Sequence, residues 1–299
     1  MYKQRSITVI IPALNEEPSI ASVINELFAL GVCSGCGHVD SEQFLKGNLT
    51  HSPSSPADKV AELFCTSCKH KTSHLPLVDT VVVCDNGSID ETATISRNCG
   101  AVVVQEPEKG YGAACLAALR APVDKDLIVF VDGDHSVVCS ELPDLLDPLF
   151  SGADLVIGSR TLGACESGAL TFPQKLGNRF ASSLMRLIWK QRITDLGPFR
   201  AVSQQTLDEL QMQDRQFGWT VEMQVRALQL NKQLVEIPVT TRKRIGQSKI
   251  SGTIRGVIGA SKGILGTIVK LYWRELSSKN TVLPKISADS DPIHAMRKK

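Results

Sequence analysis

Short continuous apolar runs alternate with amphipathic helical spacing along the first 160 residues. Ile7 to Ile11 is wholly β-branched, as in a strand buried on both faces, and polar Asn15-Glu16-Glu17 follows its carboxyl end. From about Ser19 to Leu30, residues Ile20, Val23, Ile24 and Leu27 fall at helical spacing. The run Val78 to Cys84 ends in Asp85-Asn86-Gly87-Ser88, and a helix with an acidic first turn is expected from Asp90 to Arg97. A third strand, Ala101 to Gln105, leads through Gly110 and Gly112 into an alanine-rich helix ending near Arg120, and a fourth, Leu127 to Val131, runs into Asp132-Gly133-Asp134. Further on, the pattern predicts a strand over Asp154 to Arg160, helices over Phe172 to Trp189 and around Trp219 to Leu230, and a strand over Leu234 to Thr240. This rhythm is that of an α/β protein: a Rossmann-like, mainly parallel sheet with flanking helices. Ligands of such sheets bind outside the carboxyl ends of the strands, where the polar clusters fall.

The segment from about Gly31 to Leu75 breaks the rhythm and reads as an insertion. Its centre, Asn48 to Pro56, has loop composition, while Cys33-Ser-Gly-Cys36 and Cys65-Thr-Ser-Cys68 lie toward its ends, separated by twenty-eight residues from Gly37 to Phe64. That separation exceeds the usual ribbon spacing but closes a four-cysteine, zinc-ribbon-like site of Cys33, Cys36, Cys65 and Cys68. His38 and His70 are alternative ligands, and free thiols or a redox pair are the competing interpretation. A closed four-ligand zinc site is structural, which leaves the module to recognise a protein partner or to cover a substrate site. Cys84, Cys99, Cys115, Cys139 and Cys165 lack such spacing and are expected to be packing residues. Nine cysteines after a polar amino terminus point to a reducing compartment. No internal repeat stands out.

Thirty-three Lys and Arg against thirty-one Asp and Glu give a net charge of +2 in 299 residues, so no nucleic-acid partner is expected. No apolar run approaches the roughly eighteen residues of a membrane span. Two carboxylates one residue apart at a strand end, Asp132 and Asp134, can face one hard cation; the alternative is a solvated turn. Asp85, ending another strand, brings a third acidic position to the same sheet edge. Gly110 and Gly112 let backbone approach a phosphate at a helix start, or simply begin a helix. His135 follows the aspartates as a catalytic, second-layer or packing group, and Glu222 either orients an acceptor or faces water.

In order, Ile-Ile-Pro-Ala-Leu-Asn-Glu-Glu, Asp-Asn-Gly-Ser-Ile-Asp-Glu-Thr and Val-Asp-Gly-Asp resemble the motifs of family 2 glycosyltransferases of the GT-A fold. Asp195-Leu-Gly-Pro-Phe-Arg200 and Arg244-Ile-Gly-Gln-Ser-Lys249 bring the resemblance closest to polyprenyl-phosphate sugar synthases of the dolichyl-phosphate type, over about Ser6 to Trp273. It implies that Pro12, Ala13, Asn15 and Glu16 line a nucleotide-sugar pocket with Asp85, Gly110 and Asp132. Asp132 and Asp134 would hold magnesium or manganese, and Arg160, Arg200, Arg244 and Lys249 would face phosphates. Asp132, Asp134 and Arg200 are then the expected catalytic residues. Asn86 departs from the pair of acidic residues common at its motif, and Ser136 stands where some synthases place another metal ligand.

The implied domain organisation is a GT-A domain from 1–30 and 76–240, the insertion 31–75, a basic amphipathic segment 241–276 and a disordered tail 277–299. Between Ile237 and Trp273 there are seven Lys or Arg and no Asp or Glu. As a helix this places Arg255, Lys262 and Lys270 on one side, opposite Ile254, Val257, Ile258, Leu265 and Ile268. Such a helix rests on an anionic membrane, buries its apolar face on the catalytic domain, or binds nucleic acid. The leading expectation is an inverting enzyme that moves a hexose from a nucleotide diphosphate sugar to a polyprenyl phosphate, peripheral on the cytoplasmic face of a membrane. The alternatives are a soluble phosphorylated acceptor, or a catalytically silent scaffold whose zinc module binds a partner.

Overall fold

A computed structural model of the chain describes residues 2–40, 61–246 and 254–281. Strands β1 (Ile7–Ala13), β6 (Thr80–Asp85), β7 (Val102–Gln105), β8 (Leu127–Phe130), β9 (Leu155–Ser159), β10 (Arg200–Ser203) and β11 (Leu234–Pro238) form one sheet. Between β1 and β6 in the chain, β2 (Gly31–Cys33), β3 (Val39–Asp40), β4 (Ala61–Phe64) and β5 (Lys71–Pro76) form a second, antiparallel one. The large sheet runs β11-β9-β10-β8-β1-β6-β7. Its pairs are parallel except those of β10, which runs antiparallel to β8 and β9.

Alternation along β1 sends Ile7, Val9 and Ile11 to one face, against Ile20, Val23, Ile24 and Leu27 of α1 (Ile20–Phe28). Ile10 faces the other way, with Val82, Cys84, Ile128 and Phe130, against Ala114, Cys115 and Ala118 of α3 (Tyr111–Leu119). The small alanine side chains bring that helix close to the sheet. On the same side, Trp219 of α7 (Trp219–Gln229) meets Phe130 edge to face, with ring centroids 6.0 Å apart. Helix α2 (Thr92–Asn98) completes the unit that follows β6. A third apolar cluster joins α5 (Phe172–Trp189), α7 and α8 (Ile254–Thr281) through Ala181, Met185, Val221, Val225, Ile268 and Leu271.

Three elements escape the apolar pattern. Helix α4 (Leu142–Phe150) carries Pro143 and Pro148, residues that read as breakers, yet Leu142, Leu145 and Leu146 bury against the sheet. Strand β10 is four residues beginning with a charge, and pairing on both sides defines it rather than its own composition. Helix α6 (Gln204–Leu210) is a short element begun by the Ser203 side chain, which accepts from the Thr206 N–H.

One expectation about the carboxyl-terminal stretch needs correction, and one of its three alternatives, burial of the apolar face on the catalytic domain, is favoured. The helix continues to Thr281, five residues into the segment expected to be a disordered tail, because its inner face has a partner. Ile268 and Leu271 are buried on α5 and α7, so this part of the apolar face is spent on the domain and is not free for a membrane. Lys249, the side chains of Arg255, Ile254, Val257 and Ile258, and the tail 282–299 lie outside the described residues, as does the loop 48–56.

Candidate functional site

Adjacent parallel strands β8, β1 and β6 deliver the three polar motifs to one edge, with Ala13 opposite Asp85 in register. The turns after β1 and β6 are bolted together. Asn15, at φ +51°, donates its N–H to Ser88 Oγ, and its side-chain oxygen accepts the Ile89 N–H. The Glu16 N–H donates to Thr92 Oγ1, and the Ala13 carbonyl accepts the Asn86 N–H. Ala13 is buried, so its contribution to a pocket is its backbone, while Pro12, Asn15 and Glu16 stay half-exposed at the rim. Asp85 is buried and accepts the Ser88 N–H at 3.0 Å.

Asn86 has a role that an acidic residue could not fill. Its amide donates to the Glu106 and Glu108 carbonyls at 2.9 and 2.7 Å, and its oxygen accepts the Gly110 N–H at 2.8 Å. Two donors and an acceptor are needed at once, and a carboxylate offers only acceptors. The departure from the family's acidic pair thus orders the loop into α3.

Asp132 and Asp134 stand just beyond β8. The Asp134 carboxylate accepts the Ser136 N–H at 3.0 Å and pairs with Arg244 at 2.7 Å. Asp132 accepts from the Tyr111 hydroxyl at 3.2 Å. Burial, and then the neighbouring Asp134, push the Asp132 carboxyl up to about 7, while Arg244 and Tyr111 work in the opposite direction. Tyr111 itself is pushed well above its ordinary value, first by burial and then by Asp132, so it stays a donor. Two neighbouring carboxylates, Asp134 buried and Asp132 half-buried, offer oxygen donors that suit magnesium or manganese, whose charge would relieve that repulsion. Asp85 does not join them: among the described residues the only metal-capable group of three or more His, Cys, Asp or Glu is the cysteine cluster.

The segment 241–246 lies over the aspartates. Its Arg242 N–H donates to the Ser136 carbonyl and its Ile245 N–H to the Asp134 carbonyl, both at 2.9 Å. Underneath is a small cavity of about 40 Å³ whose lining includes Asp132, Ser136, Arg160, Thr241 and Arg244. His135 is turned away. At φ +64° its ring meets Glu26 at 2.7 Å, and Glu26 also accepts two bonds from Arg242, so this histidine belongs to a scaffold that holds the 241–246 segment.

The cations divide into two kinds. Arg160 lines the cavity and grips Asp195 by two guanidinium bonds, at 2.8 and 2.7 Å, while its N–H takes the same carboxylate at 2.7 Å. Burial works against its charge, but Asp195 outweighs it and holds Arg160 above its ordinary value. Asp195 is wholly buried, so Arg160→Met is expected to lower stability by about 3 kcal/mol, measured by urea unfolding, because it strands that carboxylate.

Arg200 is a correction. It is 1% exposed and is spent on the Gly197 and Thr220 carbonyls, and burial lowers its pKa to about 10. It is a buried positioning cation and does not face a phosphate. Gly110 is a second correction. The first amides of α3 are already taken, Gly112 N–H by the Gln216 carbonyl and Ala113 N–H by that of Arg215, and a Cβ on Gly112 would strike the Asp214 carbonyl. The glycines serve backbone packing there, leaving those amides closed to a nucleotide. Glu222 does not face water: it is buried, accepts the Gln213 and Asp214 N–H groups and pairs with Arg226. Cys165, expected to pack, is exposed.

In the second sheet, the sulfurs of Cys33, Cys36, Cys65 and Cys68 lie within 4.8 Å of one another, with Cys33 to Cys68 at 3.9 Å and Cys36 to Cys65 at 3.6 Å. A tetrahedral zinc with Zn–S of about 2.3 Å requires sulfur separations of about 3.7 Å, which these match. Each pair forms the same knuckle. The Cys33 N–H donates to the His38 carbonyl and the Cys65 N–H to that of His70, both at 2.9 Å. A left-handed residue, Gly37 at φ +73° or Lys69 at φ +60°, follows each second cysteine. The insertion therefore contains a short Cys-x-x-Cys-x-His repeat that has no counterpart in the apolar pattern, and both exposed histidines contribute backbone rather than a ligand.

The glycosyl transferase family 2 profile matches residues 60–210. An uncharacterised glycosyltransferase of Mycobacterium tuberculosis is 34% identical over 201 residues, covering 64% of this chain and 90% of that protein. A dolichyl-phosphate hexose transferase of Haloferax volcanii is 33% identical over 175 residues (56% and 73%), and an undecaprenyl-phosphate mannosyltransferase of Micrococcus luteus is 29% identical over 189 (59% and 77%). Among solved structures, glucosyl-3-phosphoglycerate synthase of Mycobacterium tuberculosis, in complex with manganese, uridine diphosphate and phosphoglyceric acid, superposes with a TM-score of 0.60 at 18% identity, covering 90% of this chain and 79% of that one. The chain belongs to glycosyl transferase family 2 and has the GT-A fold, with a four-cysteine insertion after its first strand-and-helix unit.

Proposed function

We propose that this family 2 glycosyltransferase moves a hexose from a nucleotide diphosphate sugar to a polyprenyl phosphate. The observation that carries the phosphate acceptor is the lining of the cavity beside Asp132. It presents two guanidinium groups, Arg160 and Arg244, and its single carboxylate is Asp132, which the divalent cation would occupy. A hydroxyl acceptor needs a base to take its proton, whereas a phosphate is already an anion at neutral pH. The acceptor oxygen would bond to the anomeric carbon from the face opposite the diphosphate, whose bond to that carbon breaks with its electron pair. Anomeric configuration inverts and no proton has to move.

Asp132 and Asp134 would hold the magnesium or manganese, which supplies charge neutralisation at the diphosphate. Asp85, with the rim residues Pro12, Asn15 and Glu16 and the Ala13 backbone, supports the donor. The choice of a lipid follows the names of the Haloferax and Micrococcus relatives. Among the described residues no helix is long and apolar enough to cross a membrane, so such a lipid would be met from the surface.

Arg244 pairs with Asp134, and a diphosphate would compete for it. Arg244→Gln should therefore reduce transfer roughly a hundredfold, in line with loss of one fixed donor to developing charge, while manganese-dependent nucleotide binding persists by calorimetry. The acceptor is tested by incubating the full chain with a panel of nucleotide sugars and either detergent-dispersed polyprenyl phosphate or phosphoglycerate, with product identified by mass. Transfer to phosphoglycerate alone would replace the lipid by a soluble acceptor.

A further inference from the structure

We infer that α5 is a docking surface for an anionic lipid bilayer, a role that the sequence offers as one of three for the carboxyl-terminal segment. At about 100° per residue the helix divides into three arcs. Ala181, Met185 and half-buried Leu184 and Ile188 face the domain. Phe172, Leu176, Phe180 and Leu187 fall within roughly 80° on the outer side and are 76, 57, 59 and 76% exposed. Lys175, Arg179 and Arg186 form an exposed basic stripe directly beside them, and the helix contains no Asp or Glu.

An apolar row containing two phenylalanines, flanked by cations only, is complementary to a surface with an apolar interior and negatively charged headgroups. It is ill suited to remain in water, and a protein partner would not require the charge to be of one sign. The basic stripe also borders a groove of about 490 Å³ that runs from Lys175, Arg179 and Arg186 to Arg160. Arg160, Leu170 and Gln174 line both this groove and the cavity beside Asp132. A lipid phosphate lifted from the bilayer would thus follow cations to the site. The inference deepens the lipid-acceptor reading and rests on it for the direction of that path.

The test is cosedimentation of the full chain with vesicles of phosphatidylcholine alone or mixed with phosphatidylglycerol. Wild type is expected to bind the mixed vesicles in a salt-sensitive way. Replacing Lys175, Arg179 and Arg186 together by Gln should weaken this on the order of a hundredfold, from three headgroup contacts. Replacing Phe172, Leu176 and Phe180 by Ser should weaken it at least about tenfold. Lys262→Gln with Lys270→Gln on α8 should leave it within about twofold, those cations lying outside the docking arc. The substituted side chains are exposed, so an unchanged melting temperature is expected for all three.

Failure of wild type to bind, indifference to both α5 triples, or loss through the α8 pair would overturn the inference. So would conversion of a dimer to a monomer by the Phe172, Leu176 and Phe180 triple, which would make a second copy the occupant. Vesicle binding through α5 with transfer only to phosphoglycerate would leave the docking surface standing and remove the lipid acceptor. Transfer to detergent-dispersed polyprenyl phosphate without vesicle binding would do the reverse.

Discussion

Asp134→Asn is expected to reduce sugar transfer by about 10³-fold or more and to leave the fold intact. The side chain is buried, but its structural duties are small: it accepts the Ser136 N–H and pairs with Arg244. An amide oxygen of the same size can still accept that N–H. What disappears is the negative charge that would hold a divalent cation against the diphosphate, an effect of several kcal/mol at the transition state, where each 1.4 kcal/mol is about tenfold in rate. Folding should not suffer, because Asp134 is, after burial itself, the main reason that the Asp132 carboxyl is pushed up to about 7.

The sign of that shift sharpens the expectation. A folded-state pKa above the unfolded value means that ionised Asp132 destabilises the metal-free fold, increasingly as pH rises through the range from about 4 toward 7. Removing the neighbouring charge eases this, so the variant's melting temperature above pH 7 should equal or exceed that of wild type. Manganese binding by calorimetry should fall along with turnover. Wild-type turnover in Asp134→Asn would remove the metal from these carboxylates, and an unfolded variant would show that the pair is structural.

The parts of this molecule that were legible in its sequence are those in which one residue type answers one local demand. Continuous apolar runs rich in β-branched residues give β1, β6 and β8 because both sheet faces are covered, and the spacing of Ile20, Val23, Ile24 and Leu27 gives α1 because one helix face is. Aspartates directly after such a strand are placed at the sheet edge by the chain itself. Less legible were residues whose partners lie far away in the chain. Arg200 reads as a phosphate ligand until the Thr220 carbonyl, from helix α7, is seen to take its guanidinium. The same holds for the Gly110 turn, closed by the carbonyls of Arg215 and Gln216. Tyr111, whose hydroxyl reaches Asp132, has no local signal at all. The outer row of α5 was within reach: Phe172, Leu176, Phe180 and Leu187 are as regular as any buried face, and only the structure shows that nothing among the described residues covers it.

Loss of the four-thiolate site is expected to unfold the second sheet and leave the first intact. Among the described side chains of the insertion, Val32 and Val39 lean on the core of the large sheet, and those buried at the two knuckles and the strand beside them are Cys33, Cys65 and His74. A four-stranded sheet of this size gains much of its stability from a staple, and a structural zinc supplies on the order of 10 kcal/mol to modules of this kind. Protein purified without chelator should carry about one zinc per chain, retained through magnesium exchange because thiolates prefer the softer ion. Cys33→Ser should release it and abolish hydrogen-exchange protection in β2 and β5, while β1, β6 and β8 keep theirs. Since Cys33 is buried, that result alone could reflect packing. Cys36 is exposed, so its replacement costs little packing, and Cys36→Ser producing the same zinc release and the same local opening would assign the effect to the metal. A zinc-free preparation with full protection in β2 and β5 would instead show that the sheet stands on its own hydrogen bonds and that the four cysteines are free thiols.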